Sequence, residues 1–119
     1  MKVTWEALTI DVRDPVASAR WWAATLDWEI TSHEPAGVEV HPPDRQGPSL
    51  FFVENYGAKL GKNRLHLDLA AEDQAAVLEQ LISRGATRVD IGQAPDADCV
   101  VLSDPDGNEF CLLEPHGAS

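Results

Sequence analysis

The residues best equipped for chemistry lie close together in the second half of the chain. In Leu65-His66-Leu67-Asp68-Leu69 apolar and polar residues alternate, which is the period of a strand. His66 and Asp68 therefore project from one side of it. A carboxylate beside an imidazole is the arrangement in which Asp orients a histidine that carries a proton. Further on, Glu109 and Cys111 again stand two apart. Together the four offer nitrogen, oxygen and sulfur atoms of the kinds that hold a divalent ion.

Each of these residues also has a plainer reading. His66 reads equally well as a half-buried strand histidine bonded to Asp68. Cys111 reads first as a small apolar packing residue. Asp68 is read as functional, because a carboxylate on an otherwise apolar strand is costly to bury unless paired. Asp11 shares the face of Ala7 but lies near its strand end, so it reads as solvent-exposed. Neither Cys99 nor Cys111 is flanked by histidine or a basic cluster, which leaves a nucleophilic thiol without support.

The elements that position these residues are written twice. Ala7–Val12 alternates as a strand and runs into Asp14-Pro15, an N-cap residue followed by proline at the first helical position. The Leu65–Leu69 strand runs in the same way into Asp73. On the first helix Val16, Ala19, Trp22, Ala23 and Leu26 share one side, Trp21 projects off that stripe, and Asp27 takes the left-handed terminal position. The second helix carries Val77, Leu78, Leu81 and Ile82 and stops at Gly85, the favoured residue just past a helix end. Three strand-like runs follow each helix: Trp28–Ser32, Gly37–His41 and Ser49–Glu54 in the first half, Thr87–Ile91, Cys99–Ser103 and Glu109–Leu113 in the second. The last two flank the turn Asp104-Pro105-Asp106-Gly107. Shifted by 60, Asp44, Gly47 and Glu54 match Asp104, Gly107 and Glu114, and Phe51 falls on Cys111. The order β-α-β-β-β thus occurs in module one (about 3–55) and module two (about 64–115), joined by the polar loop Asn55–Arg64.

At 119 residues the chain suits a single domain with its own core. Its net charge of −11 opposes a phosphate backbone and an anionic membrane alike, so neither nucleic acid nor membrane is expected as a partner. A neutral or cationic small ligand fits the charge better. The start shows no basic region followed by a long apolar run. Two cysteines without Cys-x-x-Cys spacing make no disulfide framework, and a reduced cytoplasmic chain is the expectation. Lys59, Lys62 and Arg64 in the connecting loop, and the acidic Asp96, Asp98, Asp104 and Asp106, read as solvated loop and turn.

The repeat, with Asp14-Pro15, Trp21-Trp22 and Leu26-Asp27-Trp28 early and Asp104-Pro105-Asp106-Gly107-Asn108-Glu109-Phe110-Cys111-Leu112-Leu113-Glu114-Pro115 late, resembles the vicinal oxygen chelate superfamily of glyoxalases, bleomycin-resistance proteins and extradiol dioxygenases. Asn63-Arg64-Leu65-His66-Leu67-Asp68-Leu69 resembles its glyoxalase-like subgroup, common in bacteria. The resemblance implies an α+β fold in which two tandem βαβββ modules curve a mixed sheet into a cup, with helices outside and ligand inside. It also implies a homodimer, for which Trp5 and Trp21 are the candidate contacts. The metal-using members place four ligands on the first and last strands of each module. Carried over, those seats fall on Ala7, Phe51, His66 and Cys111.

Alanine and phenylalanine have no lone pair to give. The inherited metal site is therefore read as lost, with no cofactor required. A divalent metal at a remodelled site of His66, Asp68, Glu109 and Cys111 is the alternative. The expected ligand-binding set is Ala7, Thr9, Phe51, His66, Asp68, Glu109 and Cys111; register decides whether Phe51 or Phe52 faces the cup. Three functions compete. The first is a metal-free protein that binds a hydrophobic or cationic small molecule. The second is a lyase, isomerase or dioxygenase with His66 and Asp68 as candidate catalytic residues. The third is an accessory domain with a vestigial cup.

Overall fold

The computed structural model describes residues 1–2, 5–55, 57, 61, 63, 65–89 and 99–114. Two compact units divide the chain, Met1–Gly57 and Ala58–Ser119. Among the described residues no helix is long and apolar enough to cross a membrane. Of the loop and acidic residues singled out above, Lys59, Lys62, Arg64, Asp96 and Asp98 lie outside the described residues.

The first unit runs β1 (Ala7–Val12), α1 (Pro15–Leu26), β2 (Glu29–Glu34), β3 (Gly37–His41) and β4 (Ser49–Glu54). Asp14 caps α1 as its sequence predicts, its carboxylate accepting from the Ala17 N–H at 3.1 Å ahead of Pro15. Asp27 ends the helix in the left-handed region, at φ 57° and ψ 42°. The sheet order is β1-β4-β3-β2, with β1 and β4 parallel. Helix α1 lies against β3 and β4, so that Ala19 and Trp22 are buried with Val38, Val40, Leu50 and Phe52. Alternation along β4 then turns Ser49, Phe51 and Val53 to the face away from the helix. Strand β2 begins at Glu29 rather than Trp28, carries a bulge between Ile30 and Ser32, and runs past the predicted end at Ser32 because His33 and Glu34 still pair with Val38 and Gly37.

The second unit repeats the order: β5 (Leu67–Ala70), α2 (Gln74–Ser83), β6 (Thr87–Arg88), β7 (Cys99–Ser103) and β8 (Glu109–Leu113). Its sheet order, β5-β8-β7-β6, copies the first. Asp73 caps α2 through the Ala76 N–H at 3.1 Å. At the other end Gly85, at φ 103°, lets the Gly85 and Ala86 N–H groups bond back to Ile82 and Leu81, the paired closure that a left-handed glycine permits. Leu81, Ala86, Val101, Leu102, Phe110 and Leu112 form the core.

Three expectations are corrected. Strand β5 starts at Leu67, because its parallel ladder begins at the pair Leu67–Phe110; Leu65 and His66 precede it, and Leu65 is 80% exposed. Strand β6 covers Thr87 and Arg88 only, although the Val89 N–H still bonds to the Val101 carbonyl at 2.9 Å; Asp90 and Ile91 lie outside the described residues. Asp104 is buried rather than solvated: its carboxylate accepts from the N–H groups of Asp106 at 3.0 Å and Asn108 at 2.9 Å. Its counterpart Asp44 accepts likewise from Gln46 at 2.9 Å, so the matched turns share one mechanism, an acidic side chain bonding its own backbone two residues on.

Candidate functional site

In the second unit β5 and β8 run side by side and parallel, with Asp68 directly opposite Cys111. Residues on the same face of adjacent strands meet, and His66 reaches in from just before β5. Its Nδ1 lies 3.0 Å from Asp68 Oδ1 and 3.7 Å from Cys111 Sγ. One donor atom from each of the three lies within 4.8 Å of the others, the grouping among the described residues that can hold a metal ion. The trio is graded in exposure. Asp68 is 54% and His66 38% exposed in their side chains, whereas Cys111 is 7% exposed. Asp68 is thus no buried carboxylate, and the cost of burial that marked it as functional in sequence does not apply. Its pairing with His66 holds.

A carboxylate can only accept, so the 3.0 Å contact places a proton on Nδ1. Cys111 is held as the neutral thiol. Burial first, and then the nearby Asp68 charge, push its pKa from 9.0 up to about 11.

Glu109 stands outside the trio. It is buried, and Asn63 brackets it: the Asn63 backbone N–H donates to Glu109 Oε1 at 3.1 Å. With its amide oriented to satisfy both ends, the Asn63 side chain also donates to Oε2 and accepts from the Glu109 N–H, each at 3.3 Å. A carboxylate whose oxygens are met by a neighbouring asparagine is placed to hold the loop before β5. Sequence reasoning missed Asn63, since nothing in its own segment points to a partner 46 residues away.

In the first unit the residues carried over from the resemblance share the open face of the sheet. Ala7 pairs with Ser49 and Thr9 with Phe51, and on the far side Phe51 pairs with Glu39. Phe52, fully buried, points the opposite way into the core beneath α1; the choice left open between Phe51 and Phe52 therefore falls on Phe51. Glu39 and His41 join it there. Their signal was present in Gly37-Val38-Glu39-Val40-His41, where alternation with two buried valines puts both polar residues on the other face. Asp11 is exposed as expected and accepts from the Asn55 amide at 3.1 Å.

Neither Ala7 nor Phe51 carries a donor atom for an ion. The trio does supply nitrogen, oxygen and sulfur donors of mixed hardness, as zinc-like ions accept. Of the tryptophans, Trp22 is buried as predicted, Trp21 packs edge-on to it with ring centres 5.0 Å apart, and Trp5 is 67% exposed.

These features can be set beside known proteins. The chain is similar in structure to a glyoxalase/bleomycin resistance protein/dioxygenase family enzyme from Burkholderia phytofirmans, at TM-score 0.73 and 16% identity, covering 94% of this chain and 98% of that one. It is also similar to TnmS3, an antibiotic-binding protein from a Streptomyces species, at TM-score 0.64 and 22% identity over 97% and 98% of the two chains. A third is the oxidase ChaP-H2, at TM-score 0.64 and 21% identity over 98% of each chain. Among curated proteins none matches. Likeness at these identities fixes the fold and not the reaction. The glyoxalase-like domain family, however, matches residues 7–113, which is nearly the whole sequence, and the chain belongs to that family.

Proposed function

We propose that this protein binds and sequesters a small hydrophobic or cationic molecule without a metal. The observation that carries the reading is the chemistry of the open face in the first unit, where two of the family's metal seats are a methyl group and a benzyl group and the aromatic ring stands beside a carboxylate. An apolar floor with a few placed polar groups is what such ligands need. The likeness of this fold to that of an antibiotic-binding protein supports the reading. The ligand-binding residues of this reading in the first unit are Ala7, Thr9 and Phe51. A homodimer with Trp5 and Trp21 at its contact, and a cytoplasmic location, belong to the same proposal. The test is a tryptophan-fluorescence screen against flat aromatic compounds of both charge states. Saturable quenching by a subset is expected, and no quenching by any compound up to millimolar concentration refutes the proposal.

The His66–Asp68–Cys111 trio favours a second reading, an enzyme of the lyase, isomerase or dioxygenase kind. In its acid–base form Nε2 of His66 takes a proton from substrate while Asp68 fixes the ring through Nδ1. In its metal form the three side chains would hold a divalent ion, which supplies polarisation of a substrate oxygen. Metal analysis of the purified protein separates the metal form from the two metal-free readings. A stoichiometric divalent ion that disappears in His66→Ala overturns the metal-free reading.

A further inference from the structure

The open face of the first sheet carries a carboxylate whose bonding neutralises it only in part. Glu39 lies opposite Phe51 in the β3–β4 register. Its Oε2 accepts a hydrogen bond of 2.8 Å from the hydroxyl of Ser49, itself only 2% exposed. Its Oε1 stands 3.9 Å from Nδ1 of His41, beyond hydrogen-bond range. That nitrogen is committed elsewhere, to Thr31 Oγ1 at 2.6 Å. The Thr31 hydroxyl also reaches the Glu39 carbonyl, at 3.4 Å. Among the described residues no lysine or arginine pairs with Glu39. The open-face positions of β1 and β4, Ala7, Thr9, Asp11, Ser49, Phe51 and Val53, include no basic residue. The side chain is only 30% exposed, and among the described residues the His41 ring is the one ionisable group beside it.

The floor beside it is fixed by the next residue of the same face. A Cβ on Gly37 would meet the Phe51 ring, 2.9 Å from Cζ and 3.2 Å from Cε1, as well as the Phe52 carbonyl oxygen. The ring therefore occupies the space that a side chain at position 37 would fill, and lies over β3 next to Glu39. A flat aromatic surface adjoining a carboxylate that no described lysine or arginine engages has two complementary attractions for one kind of ligand: stacking for its ring and ion pairing for its positive charge. The protein's net charge of −11 draws such a ligand in.

We infer that Glu39, held by Ser49, is the counter-ion that selects an organic cation with a flat aromatic body, stacked on Phe51. The inference rests on the small-molecule-binding reading and names its ligand class. Its test compares proflavine, a cationic tricyclic, with neutral acridine at pH 8, by titration calorimetry on the full chain. Wild type binds proflavine about tenfold more tightly than acridine. Glu39→Gln, which keeps an acceptor for Ser49, brings proflavine down to the acridine level and leaves acridine unchanged. Asp11→Asn, one charge fewer on the same face, shifts proflavine by less than about twofold, as screening of exposed charges allows. If Glu39→Gln leaves proflavine unchanged, or if Asp11→Asn weakens it equally, the counter-ion role fails while small-molecule binding stands. If wild type binds neither compound, the inference fails together with the reading beneath it. Thermal melts of both variants, expected to overlay wild type, keep misfolding from imitating the first result.

Discussion

The Cys111 sulfur stands 3.7 Å from His66 Nδ1, on the nitrogen that Asp68 already engages. Thiol and carboxylate thus share one neighbour, and the negative charge of Asp68 opposes a thiolate at Cys111. With burial as the larger cause, the thiol titrates near pH 11 instead of 9.0. Iodoacetamide should therefore alkylate Cys111 only slowly at pH 8, with a rate that climbs through about pH 11. Peptide mass spectrometry distinguishes it from Cys99. Asp68→Asn removes the second cause and should bring the midpoint down part of the way. Alkylation at pH 8 at the rate of an unfolded control would contradict the geometry.

The same shift has a consequence for stability. The folded chain holds this proton more tightly than the unfolded one, so the stabilisation is complete below pH 9.0 and is lost as pH rises through about 11. Its size is at most about 2–3 kcal/mol. Urea unfolding followed from pH 8 to 11 should show this fall, and Cys111→Ala should flatten it relative to wild type.

Both helices begin on an aspartate whose side chain meets the N–H of the third helical residue, Asp14 on Ala17 and Asp73 on Ala76, each at 3.1 Å. Replacing either by alanine leaves an orphan donor and should cost about 1 kcal/mol. Asp14→Ala also exposes the start of the helix that buries Trp22, so its loss should be visible in tryptophan emission. Equal stability of Asp14→Ala and wild type in urea melts would remove the capping role.

How far the sequence reaches is seen in which boundaries it predicts. The α1 limits were legible because each end is signed by its own residues, Asp14-Pro15 at one end and Asp27 at the other. The strands Ala7–Val12, Gly37–His41, Ser49–Glu54, Cys99–Ser103 and Glu109–Leu113 were legible from alternation and flanking turns. The start of β5 was not, because a ladder that begins at Leu67–Phe110 depends on a partner far along the chain. The same limit governs the site. His66 and Asp68 are neighbours in sequence and their pairing could be read directly. The contact of Cys111 with them, the removal of Glu109 by Asn63, and the exposure of Asp68 all follow from strand pairing that local pattern does not encode.

Gly37 is a second place where local sequence carries a distant requirement. A methyl group there would collide with both the Phe52 carbonyl and the Phe51 ring. Backbone cannot yield as a flexible side chain can, so Gly37→Ala should destabilise by about 1–3 kcal/mol. It should also displace the ring and weaken any ligand stacked on it. Unchanged stability and unchanged binding in this variant would show that Phe51 does not rest where the structure places it.

Phe51 and Phe52 are adjacent residues with opposite duties, which makes them a matched pair for experiment. Phe52 is 0% exposed, in the core beneath α1 with Val38, Val40 and Leu50. Truncation to alanine removes its burial and leaves a cavity, at about 3–5 kcal/mol. Phe51 lies on the opposite face and is partly exposed, so Phe51→Ala should cost well under half of that, by virtue of the smaller area withdrawn from water. Binding should divide the other way. Phe51→Ala abolishes the quenching produced by a flat ligand, whereas Phe52→Leu, which keeps most of the buried volume, retains it. Urea melts and quenching titrations on the same preparations give both readouts. If Phe51→Ala proves the more destabilising of the two truncations, the faces have been assigned the wrong way round and the open-face site falls with them.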